Sequence, residues 1–260
     1  MYVPSTCPPP HHTPPANTKT VELIYWPGMP GRGEYIRLLF EASGTAYTDK
    51  TDAKQVVQLI SPGTTTTAHS GGIPPFAPPI LRHGANTLFQ TPAIVGYLAP
   101  LLGLAPLGFA QHQMNALVLT ALDFCDEVHN THHPVSVSLY YEDQVVEAKR
   151  CAAIFRKERV PKFFGYFERV LAAGGEGGGG WLIGGKISAA DLVLWQVVDG
   201  VKYAFPKAAG RVMKDMPQLK AHYERVKEGV KEYLASDRRR GYSTGLFRQY
   251  PELDDQEGEE

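Results

Sequence analysis

Ala77-Pro78-Pro79-Ile80-Leu81, then Gly84, then Gln90-Thr91-Pro92-Ala93-Ile94 is the stretch whose reading decides the fold. A proline at the start of a strand cannot donate to the ladder, so Pro78 and Pro79 belong at an edge or a bend. X-Pro bonds are also the ones that adopt the cis form at modest cost. Ile80 to His83 and Thr87 to Gln90 read as two hairpin strands around Gly84-Ala85-Asn86. Thr91-Pro92 opens a helix that runs to about Leu101, because threonine is a good N-cap and proline suits the first helical turn.

Upstream, Thr20 to Trp26 is β-branched and aromatic and reads as a strand stopped by Pro27-Gly28. Its period of two puts Val21, Leu23 and Tyr25 on one face. Gly33 to Ser43 repeats Ile36, Leu39 and Phe40 at helical spacing, and Gly44 stands where a helix stop belongs. Ala46 to Asp49 reads as a weak second strand, Ala53 to Ile60 as a short helix, and Ser61 to Pro75 as a Gly/Thr/Ser/Pro-rich loop. The order is βαβαββα, a thioredoxin-like pattern.

Beyond Leu107 the periodicity is helical. Gln111 to His129 is one helix and Glu142 to Ala173 a long amphipathic one, with Pro161 predicting a kink or break. Gly174 to Gly180 is a glycine-rich loop. Ser188 to Lys202 and Met216 to Leu234 are further helices. Ser188-Ala189-Ala190-Asp191 is a capping box, whose role is structural. The predicted fold is α/β plus all-α, with a thioredoxin-like N-terminal domain over residues 19–102 and an all-helical domain over 106–242. Residues 1–18 read as a flexible proline-rich tail without the apolar core of a secretory signal, and 243–260 as an acidic tail.

With 260 residues, two domains is the natural division. A net charge of −1 offers no basic excess for a nucleic-acid partner, and no run approaches the roughly 18 apolar residues of a membrane span. Cys7, Cys125 and Cys151 lack the spacing of a disulfide framework or a thiolate zinc site, which fits a reducing, cytoplasmic compartment. His129, His132 and His133 do not have the spacing of a helical pair with a carboxylate, and Pro134 follows at once. They read as a helix terminus or pocket wall, and no metal is expected.

Two segments in order, Pro79…Leu81…Gly84…Leu88…Gln90-Thr91 and Trp181-Leu182…Gly184…Ser188…Asp191, resemble the glutathione S-transferases. The resemblance covers about Val21 to Leu234. It implies that Gln90 and Thr91 bind the γ-glutamyl carboxylate of glutathione. It implies too that the residue before a cis-proline at Pro79 pairs through its backbone with the cysteinyl unit. That residue is Pro78, which has a carbonyl but no N–H, so one hydrogen bond of about 0.5–1.5 kcal/mol is missing from the usual pair.

The stretch Tyr25 to Arg37 resembles the Tyr-type members, in which a tyrosine ending the first strand donates to the glutathione sulfur. The resemblance therefore makes Tyr25 the catalytic residue, with Tyr35 as the nearby competitor. Lowering a thiol pKa from near 8.5 by about two units takes roughly 2.7 kcal/mol. A hydrogen bond to a charged acceptor is worth about 1.5–3 kcal/mol, which is the right size. Arg32 is either a site residue or a surface one. Lys50 and Lys54 are the candidates for the glycyl carboxylate, and His129 and Tyr140 for the border of a hydrophobic-substrate cleft. Asp126 or Glu127 is a candidate for reaching a partner subunit's glutathione.

The function so implied is a detoxifying, homodimeric, cytoplasmic glutathione transferase. Glutathione is the co-substrate and a small hydrophobic electrophile the second partner. The alternatives are a non-catalytic glutathione or hydrophobic-ligand carrier on the same fold, or a glutathione-dependent isomerase or peroxidase.

Overall fold

The computed structural model describes residues 21–61, 73–174 and 179–255. The proline-rich tail read at 1–18, most of the loop read at 61–75, part of the glycine loop and residues 256–260 lie outside them. Four strands, β1 (Val21–Ile24), β2 (Thr48–Lys50), β3 (Ile80–His83) and β4 (Asn86–Phe89), form one sheet in the order β2-β1-β3-β4. β1 and β2 are parallel, and β3 and β4 are antiparallel to their neighbours. α1 (Gly33–Ser43), α2 (Ala53–Ile60) and α3 (Thr91–Leu101) complete a thioredoxin-like unit.

Both faces of this sheet are covered, and the strand period shows how. Leu23 and Leu81, paired across β1 and β3, join the large core with Ile36 and Leu39 of α1. Their neighbours Ile24 and Ile80 point the other way and pack with Val56 of α2. Asp52 caps α2 by accepting from the Lys54 N–H at 2.9 Å, and Gly44 ends α1 in the left-handed conformation. At α3 the expected cap is displaced by one residue. Gln90 is the N-cap and Thr91 the first helical residue.

Every further element of the described residues is helical: α4 (Phe109–His132), α5 (Val145–Ile154), α6 (Val160–Ala172), α7 (Ala189–Ala204), α8 (Pro206–Met213), α9 (Pro217–Gly229) and α10 (Lys231–Leu234). α7 is buried at 13 of its 16 residues and is the axis of this domain. Phe124 of α4 stacks on Phe163 of α6 with ring centroids 4.4 Å apart. The single long helix expected over 142–173 is α5 and α6 joined by a π-helical segment at Phe155–Arg159. Pro161 has no N–H to offer and its ring crowds the carbonyl four residues back, so the ladder shifts register just before it. Likewise the helix read over 216–234 is interrupted at Val230. α8 was not foreseen, although Pro206 at its first turn is a local signal for it.

The acidic tail read from residue 243 is corrected as far as Asp255. Phe247 and Leu253 are buried, and Tyr250 stacks on Tyr141 at 3.8 Å. Asp254 accepts from the Lys207 N–H at 2.6 Å and the Ala208 N–H at 3.1 Å, capping the first turn of α8. The apolar residues interleaved with the acids outweigh the charge, because their burial against the helices is what the segment gains by ordering.

Asp191 is a polar hub in the helical core. It is fully buried, and its Oδ1 accepts from the Leu182 N–H at 2.9 Å and from His222 Nε2 at 2.8 Å. Its Oδ2 accepts from the Ser188 N–H at 2.8 Å and the Ser188 hydroxyl at 2.6 Å. The capping box therefore forms, and it also ties the Trp181–Leu182 turn and α9 to the start of α7. A second buried network joins the domains. Glu34 of α1 pairs with Arg37 at 3.0 Å, with Arg239 at 2.6 Å, and accepts from the Tyr233 hydroxyl at 2.5 Å.

Candidate functional site

The strand register collects the candidate residues at one end of the sheet. Ile24 of β1 is level with Lys50 of β2 and Ile80 of β3, and Ile80 is level with Phe89 of β4. Lys50, Tyr25, Pro79 and Gln90 therefore sit at or one residue beyond the ends of four adjacent strands. By the usual strand spacing the row is about 14 Å wide. The Pro78-Pro79 bond is cis.

Tyr25 is only 6% exposed, and its hydroxyl accepts from the Arg32 N–H at 2.8 Å. Among the described residues no acceptor takes its own proton. Burial raises the phenol pKa above its ordinary value, against the pull of the Arg32 N–H and of the Arg37 and Arg32 charges. At neutral pH Tyr25 is therefore a proton-bearing donor and not a phenolate. The β1–α1 loop is shaped around this ring. A Cβ on Gly33 would lie 2.7 Å from Tyr25 Cγ, and one on Gly31 would overlap the hydroxyl.

Arg37, buried in α1, holds that loop. Its Nη1 donates to the Pro30 carbonyl at 3.1 Å and its Nε to Asp49 at 2.8 Å. Arg240 also pairs with Asp49, at 2.7 Å, so the chain leaving the helical domain braces the loop from outside. The loop in turn presents the Arg32 N–H to Tyr25. Tyr35, the competing phenol, is fully buried and belongs to the large core with its α1 neighbours Ile36 and Leu39.

Gln90 and Thr91 are arranged differently from a simple cap. Gln90 is exposed and has φ 71°, the one non-glycine residue with positive φ among those described. Such a conformation costs on the order of 1–3 kcal/mol and persists only where the surroundings impose it. Thr91 is fully buried and its hydroxyl has no hydrogen-bond partner. A buried hydroxyl left unpaired at a helix N-terminus fits an anion-binding position. Gln90→Gly is expected to raise unfolding free energy by about 1 kcal/mol through relief of the strained φ, as measured by urea denaturation.

The remaining candidates are distributed as follows. Arg32 is partly exposed, and its guanidinium pairs with Asp126 of α4, bridging the two domains beside Tyr25. Asp126 and Glu127, considered for a partner subunit, are both committed within the chain, since Glu127 pairs with Arg159 at 2.6 Å. Burial raises the Asp126 carboxyl above its ordinary range, with Arg32 opposing. Lys50 pairs with Glu22 at 2.5 Å, and Lys54 is exposed on α2. Tyr140 is 79% exposed at the turn preceding α5.

His129, His132 and His133 are brought together, contrary to the spacing argument. Offsets of three and four residues share one helix face, and α4 continues through His132. The ring centroids are 4.8–5.0 Å apart, and one donor nitrogen from each ring lies within 4.8 Å of the others. The Arg32–Asp126 pair, by contrast, has no signature in the sequence.

Comparison with known proteins agrees with this geometry. The family model described as "Glutathione S-transferase, C-terminal domain" matches residues 129–237. A glutathione S-transferase of Plasmodium falciparum (isolate 3D7) is 26% identical over 226 residues, covering 82% of this chain and 95% of that protein. Among solved structures, prostaglandin synthase D of Nilaparvata lugens superposes with a TM-score of 0.63 at 19% identity, covering 84% of this chain and 98% of that one. The Pi-class glutathione S-transferase of Onchocerca volvulus superposes at 0.61 and 22% identity, covering 82% and 91%. The domain model on the helical half, the relative across the chain and the shared two-domain fold make this chain similar to the glutathione S-transferases and support its reading as a divergent member.

Proposed function

We propose that this chain is a Tyr-type glutathione transferase that activates the thiol of glutathione for attack on a hydrophobic electrophile. The observation that carries glutathione binding is the Thr91 hydroxyl, buried and unpartnered at the N-terminus of α3. A γ-glutamyl carboxylate would take that hydroxyl, the free N–H groups of the first turn and the Gln90 amide. An extended tripeptide of about 10–11 Å spans most of the row from Gln90 toward Lys50. Along it the Pro78 carbonyl accepts from the cysteinyl N–H, and Lys50, shared with Glu22, faces the glycyl carboxylate.

Tyr25 then stands between the two ends, where its proton reaches the sulfur. The thiol gives its proton to solvent, and the thiolate, held by the Tyr25 donor, displaces a leaving group from the electrophile, forming a carbon–sulfur bond while the leaving group departs with the electron pair of its own bond. Arg32 keeps its N–H on Tyr25 and its guanidinium on Asp126, so the electrophile enters between the β1–α1 loop and α4, toward His129. Large apolar side chains stay exposed at Phe76, at Tyr97 and Leu101 of α3, and at Leu107, Phe109 and Leu119 around α4. That surface supports a homodimer built on these helices. No described helix is long and apolar enough to cross a membrane, and cytoplasmic detoxification is the role this reading assigns.

Thr91→Val tests glutathione binding directly. The substitution keeps the shape and removes only the orphan hydroxyl. Affinity for glutathione is expected to fall by about 10- to 150-fold, the worth of a hydrogen bond to a charged acceptor. The free protein is expected to lose no stability, since an unpaired buried hydroxyl costs free energy. Unchanged affinity by calorimetry would remove Thr91 from the site and the reading with it.

A further inference from the structure

We propose that His129, His132 and His133 form a binding site for one divalent transition-metal ion of the zinc class, on the α4 wall of the cleft. This site is separate from the glutathione row and does not depend on it. The donor set comes first. Three imidazoles on one face at the C-terminal end of α4 present one nitrogen each within 4.8 Å. A tetrahedral Zn²⁺ with Zn–N bonds of 2.0–2.1 Å needs donors about 3.4 Å apart. The shortfall is about the travel of a ring on its χ angles. His129 and His133 are both partly exposed and have room to turn, while His132 is buried and fixed.

The second observation is how His132 is held. Its Nε2 lies 3.3 Å from the Leu246 carbonyl, which can only accept, so Nε2 carries the hydrogen. Nδ1 is then a bare lone pair, and it is buried with no partner. An imidazole whose outer N–H is fixed by a backbone carbonyl while its other nitrogen stays unpaired has the arrangement that orients metal-bound histidines. His133 is held the other way round, its Nδ1 accepting from Gln144 Nε2 at 3.2 Å, so this ring gives up that bond when it turns to ligate.

Burial is the leading cause that pushes each ring below its ordinary pKa. His129 is lowered to about 4 and His132 to about 3, with the neighbouring rings and Arg248 adding to the effect. Arg248, and Arg32 beside His129, are charges that oppose a cation here. The Arg248 Nε is tied to the Gly245 carbonyl at 3.2 Å, which fixes it in the C-terminal segment. Neutral imidazole suits Zn²⁺ and its borderline neighbours and does not suit Mg²⁺ or Ca²⁺. Three protein ligands leave a coordination position open. The position opens toward the cleft, because His129 lies one helical turn beyond Asp126, which touches Arg32 beside Tyr25. Through Leu246 the ion would also couple the end of α4 to the segment that follows residue 243.

Equilibrium dialysis of the full chain against Zn²⁺, with Co²⁺ as the spectroscopic probe, tests the site. One ion per chain is expected, and bound Co²⁺ should show visible d–d bands of a nitrogen-ligated site of low coordination number. His129→Ala and His133→Asn should each weaken binding tenfold or more, with circular dichroism unchanged because both side chains are partly exposed. A His11→Ala/His12→Ala variant controls for the second histidine pair in the sequence and should bind as the parent does. The proposal is overturned if neither ion binds at unit stoichiometry, or if binding survives in the His129→Ala/His133→Asn double variant.

Discussion

Replacing Tyr25 by phenylalanine is expected to lower kcat/KM for conjugation of glutathione to a chloronitrobenzene by about 10- to 150-fold. The figure is the free energy of one hydrogen bond to a charged acceptor, about 1.5–3 kcal/mol, lost from the thiolate and the transition state that follows it. The hydroxyl has the right protonation for this role. Its pKa is raised by burial, so it remains a donor across the pH range in which a thiol ionises. Its geometry is fixed from the acceptor side by the Arg32 N–H at 2.8 Å, leaving its proton to point outward.

The same variant should change the pH profile. On the proposed reading, kcat/KM of the parent is expected to rise with pH through the pKa of a bound thiol that the Tyr25 donor lowers. Removing the donor moves that rise upward by about one to two pH units, since each unit corresponds to 1.36 kcal/mol. A merely structural tyrosine would change stability and leave the midpoint in place. If Tyr25→Phe retains full kcat/KM and an unshifted profile, another group activates the thiol.

The largest effect on stability is expected at Asp191. Asp191→Ala leaves the Leu182 N–H, the Ser188 N–H and hydroxyl and His222 Nε2 without an acceptor, in surroundings where Leu182, Ser188 and His222 are at most 2% exposed. Each stranded donor costs about 1–3 kcal/mol. A total loss of about 4 kcal/mol or more follows, in the exceptional range for one substitution. Natural stabilities of about 5–15 kcal/mol make such a variant marginal. Ser188→Ala removes one of the four bonds and should cost about 1 kcal/mol. Urea denaturation followed by circular dichroism measures both, and a loss under about 1.5 kcal/mol for Asp191→Ala would show that water or a rearranged turn replaces the carboxylate.

Local signals in this chain were readable because they act over a few residues. Gly33 to Ser43 and Ala53 to Ile60 were bounded by a glycine stop and an aspartate cap within one turn of the helix. The Gly84 turn set the hairpin, and Pro79 with the Ser188–Asp191 box indicated the two-domain family. The Pro161 reading located the disturbance in the long helix but not its form, since a kink and a π segment answer the same missing N–H. The histidines end α4 as their spacing before Pro134 indicates, and only the fold shows how near one another their rings lie.

By itself, then, the sequence determined the element order of the N-terminal half, the thioredoxin-like and helical halves, and the residues that end level on four strands. Tertiary structure alone decided that Gln90 takes φ 71°, that the Thr91 hydroxyl is left unpaired, and that Arg32 divides itself between Tyr25 and Asp126. It alone decided that residues 243–255 pack back onto the helices. The reason is physical: caps, turns and strand periods are set by backbone groups a few bonds apart, whereas pairing and burial between residues a hundred positions apart depend on which surfaces the completed core brings together.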